Sequence, residues 1–187
     1  TKLRESADLG LPLTYKEPDD KISKLKPAFV QNGTITAANA SKLNDGASVV
    51  LIMSYSKAQE LGLEPLAYVV EHVSCAHEPE WFTTAPRKAI QRVLRKSKMK
   101  HTDIDLWEIN EAFSVVAMAA IDDLKIPPSK VNIYGGAVAL GHPIGASGAR
   151  ILTTLIHGMG KTSSNLGLAS LCIGGGEASA IIVKRYD

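Results

Sequence analysis

Residues 135–150 read Gly-Gly-Ala-Val-Ala-Leu-Gly-His-Pro-Ile-Gly-Ala-Ser-Gly-Ala-Arg, five glycines around a single histidine, His142. Glycine is favoured where the chain turns sharply or passes close to another group, so this stretch predicts a shaped pocket around one imidazole. Thirty residues further on, an apolar run ends at Cys172, two positions ahead of Gly174, Gly175 and Gly176. A histidine that can move a proton and a thiol that can ionise, each in a glycine-rich turn, are what acyl chemistry on a thioester needs. Taken singly, a cysteine reads as a small buried hydrophobe and a histidine as a hydrogen-bonded structural residue. Their company favours chemistry: upstream lies the acidic segment Trp107-Glu108-Ile109-Asn110-Glu111-Ala112-Phe113.

Such groups must be held by regular elements, and the apolar pattern predicts these in alternation. Residues 1–35 are polar, Lys-rich and interrupted by Pro12, Pro18 and Pro27, which predicts mostly irregular chain. The run from Ala47 to Met53 predicts a strand, Ser56 to Leu61 a helix ahead of Gly62, and Leu66 to Val73 a second strand. Thr83 or Thr84 with Pro86 marks a helix start, and Ala89, Ile90, Val93 and Leu94 form its apolar stripe. Asp103 to Ile109 reads as a short strand, and Glu111 to Leu124 as an apolar helix stopped by Pro127 and Pro128. Ser147 to Met159 is a further helix, and Leu168 to Ile173 with Ala178 to Lys184 a closing hairpin. Strands alternating with helices predict a layered α/β domain.

At 187 residues, 45% hydrophobic and 21% charged, the chain can bury a core as one domain or as one domain with an appendage. A net charge of +2 selects no partner. Two cysteines, Cys75 and Cys172, give no disulfide framework and suit a reducing compartment. No apolar run is long enough to span a membrane, and Thr1 opens a polar segment without the apolar core of a signal peptide. A first residue other than Met suggests a fragment or a processed product. Arg87, Lys88, Arg92, Arg95, Lys96, Lys98 and Lys100 lack interleaved aromatics, so they read as a solvated helix face and no nucleic-acid partner is expected. His72, Cys75 and His77 are a weak signal for a metal, and no metal site is assigned.

Four blocks carry a family likeness: Thr36 to Ala47 (Thr-Ala-Ala-Asn-Ala-Ser-Lys-Leu-Asn-Asp-Gly-Ala), Asn110-Glu111-Ala112-Phe113, the His142 loop, and Cys172 to Gly176. In their order and spacing the chain resembles the thiolases, most closely the acetyl-CoA acetyltransferases (acetoacetyl-CoA thiolases) of the mitochondrial type. The likeness covers nearly the whole chain but only the C-terminal half or so of such an enzyme. It implies a layered α-β-α C-terminal domain at residues 68–187, a mixed sheet with helices on both faces. Residues 1–41 would be the tail of the loop domain that covers coenzyme A, and 42–67 the last strand and helix of the N-terminal domain. The implied activity is reversible Claisen condensation of two acetyl-CoA to acetoacetyl-CoA and coenzyme A. The alternative is a catalytically inactive fragment that binds acyl-CoA or a thiolase subunit.

The resemblance also implies roles. His142 matches the histidine that deprotonates the nucleophilic cysteine and helps hold the thioester oxygen. Neither cysteine matches that nucleophile; Cys75 is expected to be a structural residue at a strand end. Cys172 matches the second cysteine, an acid and base at the acetyl methyl group, which needs a thiol pKa near the working pH. Asn110 matches the asparagine that holds an oxyanion-site water with His142, and the Gly174 amide a donor of the other oxyanion site. Ser41 matches a serine on the pantetheine arm of coenzyme A, and Lys21 a lysine near its phosphates. Coenzyme A and acetyl-CoA are implied as substrates with no tightly bound cofactor, a dimer or tetramer as the assembly, and the mitochondrial matrix, or else the cytosol, as the compartment. Cys-Ile-Gly-Gly-Gly resembles the short-chain type, since long-chain degradative thiolases tend to carry Cys-Ile-Gly-Thr-Gly. Two departures stand out. Tyr134 replaces the usual asparagine and Glu177 the usual small residue, so that either could crowd or charge the pocket, with Glu177 otherwise directed to solvent.

Overall fold

The structure is a computed structural model that describes residues 22–186. Its elements in chain order are α1 (Tyr55–Glu60), β1 (Ala67–Ala76), α2 (Ala85–Ser97), β2 (Leu106–Ile109), α3 (Ser114–Leu124), the single turn α4 (Ala137–Leu140), α5 (Ser147–Thr162), β3 (Leu166–Ile173) and β4 (Glu177–Arg185). The strands form one mixed sheet in the order β1-β4-β3-β2. β4 pairs antiparallel with both β1 and β3, and β3 runs parallel to β2.

Alternation of side chains along each strand splits the core in two. Trp107 and Ile109 on β2, Leu168 and Cys172 on β3, and Ala178, Ala180 and Ile182 on β4 join the apolar stripe of α2 and the Val116, Ala117 and Ala120 side of α3. Their neighbours one position away, Leu106, Ala169 and Val183, join Ile151, Leu155 and Met159 of α5. A strand's period of two thus feeds one helical layer above and one below, which is the layered α-β-α arrangement expected. Fully burying a Leu or Ile side chain stabilises by about 1.5–3 kcal/mol, so both clusters contribute strongly.

Helix α2 shows how local chemistry fits this scheme. Ala85, Pro86, Ala89, Ile90, Val93 and Leu94 are its buried residues, and Lys98 closes it in the left-handed conformation. The basic face is occupied locally: Arg87 pairs with Asp123, Arg92 donates to the Ser74 carbonyl at 3.2 Å, and Lys96 meets Glu71 at 2.9 Å.

Most of the expected elements form, some with moved ends. β1 runs on to Ala76, β2 starts only at Leu106 after a short 3-10 turn over His101–Asp103, and α3 starts at Ser114, leaving Glu111-Ala112-Phe113 outside the helix. The expected strand from Ala47 to Met53 does not form: residues 44–54 have no ladder partner, and Val49, Leu51 and Ile52 stand 90, 77 and 73% exposed. A strand is stabilised by pairing, and no neighbouring strand lies beside this segment among the described residues. The part of the 1–41 segment up to Lys21 lies outside the described residues.

Candidate active site

The parallel strands β2 and β3 end side by side, and the sequence candidates gather at those ends. Asn110 follows β2 directly, its amide donating to the Ser170 carbonyl at 2.9 Å and so prolonging the parallel ladder by one rung. Its side chain is 1% exposed. Nδ2 lies 3.5 Å from His142 Nε2, while Oδ1 is buried and has no partner among the described residues. A buried amide oxygen left open in this way is ready to bind a water or a ligand donor.

Asn132 holds this strand end in place. It sits at φ 48°, a left-handed conformation that asparagine tolerates. From there its Oδ1 accepts from the Ile109 amide and its Nδ2 donates to the Ile109 carbonyl, both at 2.8 Å. The side chain therefore acts as a two-bond strand mimic on the residue just before Asn110.

His142 is positioned by three sets of contacts. Its amide donates to the Lys42 carbonyl at 2.8 Å, its Nδ1 lies 2.6 Å from Ser147 Oγ, and its Nε2 faces Asn110. The preceding Gly141 has φ 97°, and a Cβ there would strike the Asn44 side chain, so this turn and this close approach both require glycine. Upstream, the Glu111 carboxylate accepts from the Val138 amide at 3.4 Å and lies where a Cβ on Gly136 would be, anchoring the turn that leads into the loop. Burial, helped by the Arg150 guanidinium, holds the His142 imidazole below its ordinary pKa. A ring that is neutral at neutral pH can accept a proton.

Ser41 belongs to the same neighbourhood through its backbone. Its amide donates to the Ala112 carbonyl at 3.0 Å, Ala40 bridges to Phe113, and Leu43 bridges to His142. A shallow groove lined by Leu43, Asn44, Asp45, His142 and Ile144 opens there. Cys172 lies on β3 two residues past Ser170, buried, and that burial raises its thiol pKa. Gly174 follows in an exposed turn with open space where a Cβ would be. The turn is fixed at Gly176, with φ 93°, whose carbonyl accepts from the His77 amide at 3.0 Å. Asn110 and the Ser41 segment thus both reach His142, with Cys172 and Gly174 on the neighbouring strand end, whereas Lys21 lies outside the described residues.

Tyr134 turns away from the pocket, and Glu177 folds back on its own turn. Tyr134 packs beside Gly158 and carries the Lys161 ammonium 5.7 Å from its ring centre, toward the far end of α5 from His142. Glu177 does not point freely to solvent. Its carboxylate folds over Gly175, where a Cβ would lie 2.7 Å from Oε2, and that oxygen is buried. Cys75 sits near the end of β1 opposite Ala178, its thiol 3.8 Å from the Ala85 carbonyl, in keeping with a structural role. Among the described residues no group of three or more histidines, cysteines or acids could hold a metal ion, and no helix is long and apolar enough to cross a membrane.

The sequence reading missed three features: the Asn132 clamp, the Ser147 contact, and the pair Glu108–Arg150. Glu108 is 1% exposed on the α5 face of β2, 3.5 Å from Arg150 Nη1. Burial, with a further push from Glu111 and against the pull of Arg150, raises its pKa to about 8. A carboxylate at an α5-facing position of a buried strand, with an arginine forty-two residues later at the start of the α5 pattern, was the available signal.

The family model for the thiolase C-terminal domain matches residues 63–185, and that for the thiolase N-terminal domain matches residues 15–56. A protein described as a probable acetyl-CoA acyltransferase, from Staphylococcus aureus strain NCTC 8325, is 50% identical over 167 residues, which is 89% of this chain and 42% of that protein. The crystal structure of the Bacillus anthracis acetyl-CoA acetyltransferase superposes with a TM-score of 0.86 at 43% identity, covering 89% of this chain and 42% of that one. A thiolase from Ascaris suum, solved in complex with coenzyme A, gives 0.81 at 48% identity over 89% and 44%. The chain therefore spans less than half the length of the relatives it matches.

Proposed function

The chain belongs to the thiolase family, and on that premise we propose that it supplies the C-terminal share of an acetyl-CoA C-acetyltransferase. The reaction would be reversible Claisen condensation of two acetyl-CoA to acetoacetyl-CoA and coenzyme A. His142 serves as the base that ionises an acyl-accepting cysteine contributed by a thiolase N-terminal half. Cys172 moves the proton at the acetyl methyl group, a role that calls for its thiolate to be stabilised when substrate binds, because burial alone raises the thiol pKa. Asn110 and the Gly174 amide stabilise the two oxyanions, and Ser41 contacts the pantetheine arm. Residues 1–41, 42–67 and 68–187 are read as loop-domain tail, N-domain remnant and C-terminal domain. A short acyl chain, a dimer or tetramer, and the mitochondrial matrix complete the proposal, the last resting on the sequence resemblance alone.

The single observation that carries it is the 3.5 Å approach of Asn110 to His142 at the strand ends, with Asn110 Oδ1 buried and open. The alternative, an inactive fragment that binds acyl-CoA or a thiolase subunit, draws support from the exposed Val49, Leu51 and Ile52, an apolar surface suited to association. Acetoacetyl-CoA thiolysis by the purified chain, alone and mixed with a thiolase N-terminal half, tests both. Activity that appears only in the mixture and is abolished by His142→Ala and Cys172→Ala is the expected result. A mixture that binds coenzyme A without turnover would favour the alternative.

A further inference from the structure

The Ser147 hydroxyl meets the His142 ring from the side opposite Asn110. It is 1% exposed, in the first turn of α5, and besides its 2.6 Å contact to Nδ1 it donates to the Pro143 carbonyl at 3.1 Å. A hydroxyl has one proton. Once that proton is given to Pro143, Oγ can only accept from the ring, so Nδ1 must carry the hydrogen. On the other side of the ring Asn110 Nδ2 lies 3.5 Å from Nε2, an approach compatible with a lone pair there.

We propose that Ser147 is a positioning residue that holds His142 in the tautomer protonated at Nδ1, leaving the Nε2 lone pair to receive a proton from a thiol. The assignment of that proton's source rests on the function proposed above; the tautomer does not. In the step concerned, the S–H bond breaks, the proton passes to Nε2, and the sulfur keeps the electron pair as a thiolate. The imidazolium so formed carries an N–H at Nε2, on the side where Asn110 Oδ1 remains open. One nitrogen can therefore act first as base and then as donor to a developing oxyanion, without rotation of the ring. Burial and the Arg150 guanidinium, which keep the free ring neutral, favour the form in which the choice of tautomer matters.

The test is the long-range 1H–15N spectrum of the histidines in the 187-residue chain above the His142 titration, with the His142 signals identified by their loss in His142→Gln. The expected result is a protonated, pyrrole-type Nδ1 and a lone-pair, pyridine-type Nε2. In Ser147→Ala the ring should move to the Nε2-protonated form that free histidine favours, and Ser147→Thr should restore the original pattern. A wild-type ring protonated at Nε2, or a pattern unchanged in folded Ser147→Ala, overturns the proposal. Should Ser147→Ala not fold, the wild-type spectrum alone decides. Because the spectrum needs no turnover, an inactive chain with an Nδ1-protonated ring would refute the function while leaving this assignment intact.

Discussion

Two apolar segments of this chain have similar composition and opposite fates. Leu168 to Ile173 lies between β2 and β4, with Leu168 fully buried, whereas Ala47 to Met53 joins no strand ladder among the described residues and leaves Val49, Leu51 and Ile52 open to solvent. The first segment finds a parallel neighbour on one side, an antiparallel one on the other, and a helical layer on each face. Strand-forming composition is thus a capacity that neighbours must complete. In the second segment that capacity remains unused among the described residues.

Substitutions should separate the two segments sharply. Trp107→Ala, in the body, removes a fully buried ring at the centre of the larger cluster and should cost about 3–5 kcal/mol, read from the shift of the urea midpoint at constant slope. Glu108 should reveal itself through pH. Its folded pKa, about 8, lies above the unfolded value of about 4.5, so between these the folded state binds more protons and stability falls as pH rises. Glu108→Gln should remove this slope, sparing a loss on the order of a few kcal/mol between pH 5 and pH 8; equal slopes in the two proteins would mean that the carboxylate is not buried in the neutral form. Asn132→Ala leaves the Ile109 amide and carbonyl without their partners and should cost about 1–3 kcal/mol, with the Asn110 amide exchanging faster with deuterated solvent. In the unpaired segment, Ile52→Ser should change stability by less than about 0.5 kcal/mol. A larger loss there would show that the segment is covered in solution and that the contrast fails.

Much of this was legible beforehand because the chain states it locally. The stripe of α2 repeats at helical spacing, and the run from Leu166 into β4 alternates across the sheet, so both layers could be read from periodicity. His142 and Cys172 stood out because glycines surround them. What stayed hidden depends on partners distant in sequence. Asn132 acts on a residue twenty-three positions earlier, and Glu108 acquires its raised pKa from a strand and a helix that close over it. The outcome for Ala47 to Met53 was equally invisible, since composition records what a segment can pair with and not whether a neighbour is present. Tyr134 and Glu177 looked disruptive as letters in a motif, yet backbone direction sends the first toward α5 and folds the second over Gly175.

The sheet order sets a timetable for synthesis. β1 ends at Ala76 and its sheet partner among the described residues, β4, starts at Glu177, so the two are separated by about 100 residues. At a translation rate of about 5–20 residues per second, β1 and the helix after it wait on the order of 5–20 s before their sheet can close. During that interval the apolar stripe of α2 has no β4 to cover it, and closing so long a loop is slow. A nascent chain therefore passes through a stage in which β1 is finished and homeless, and at that stage a holdase chaperone has the most to hold.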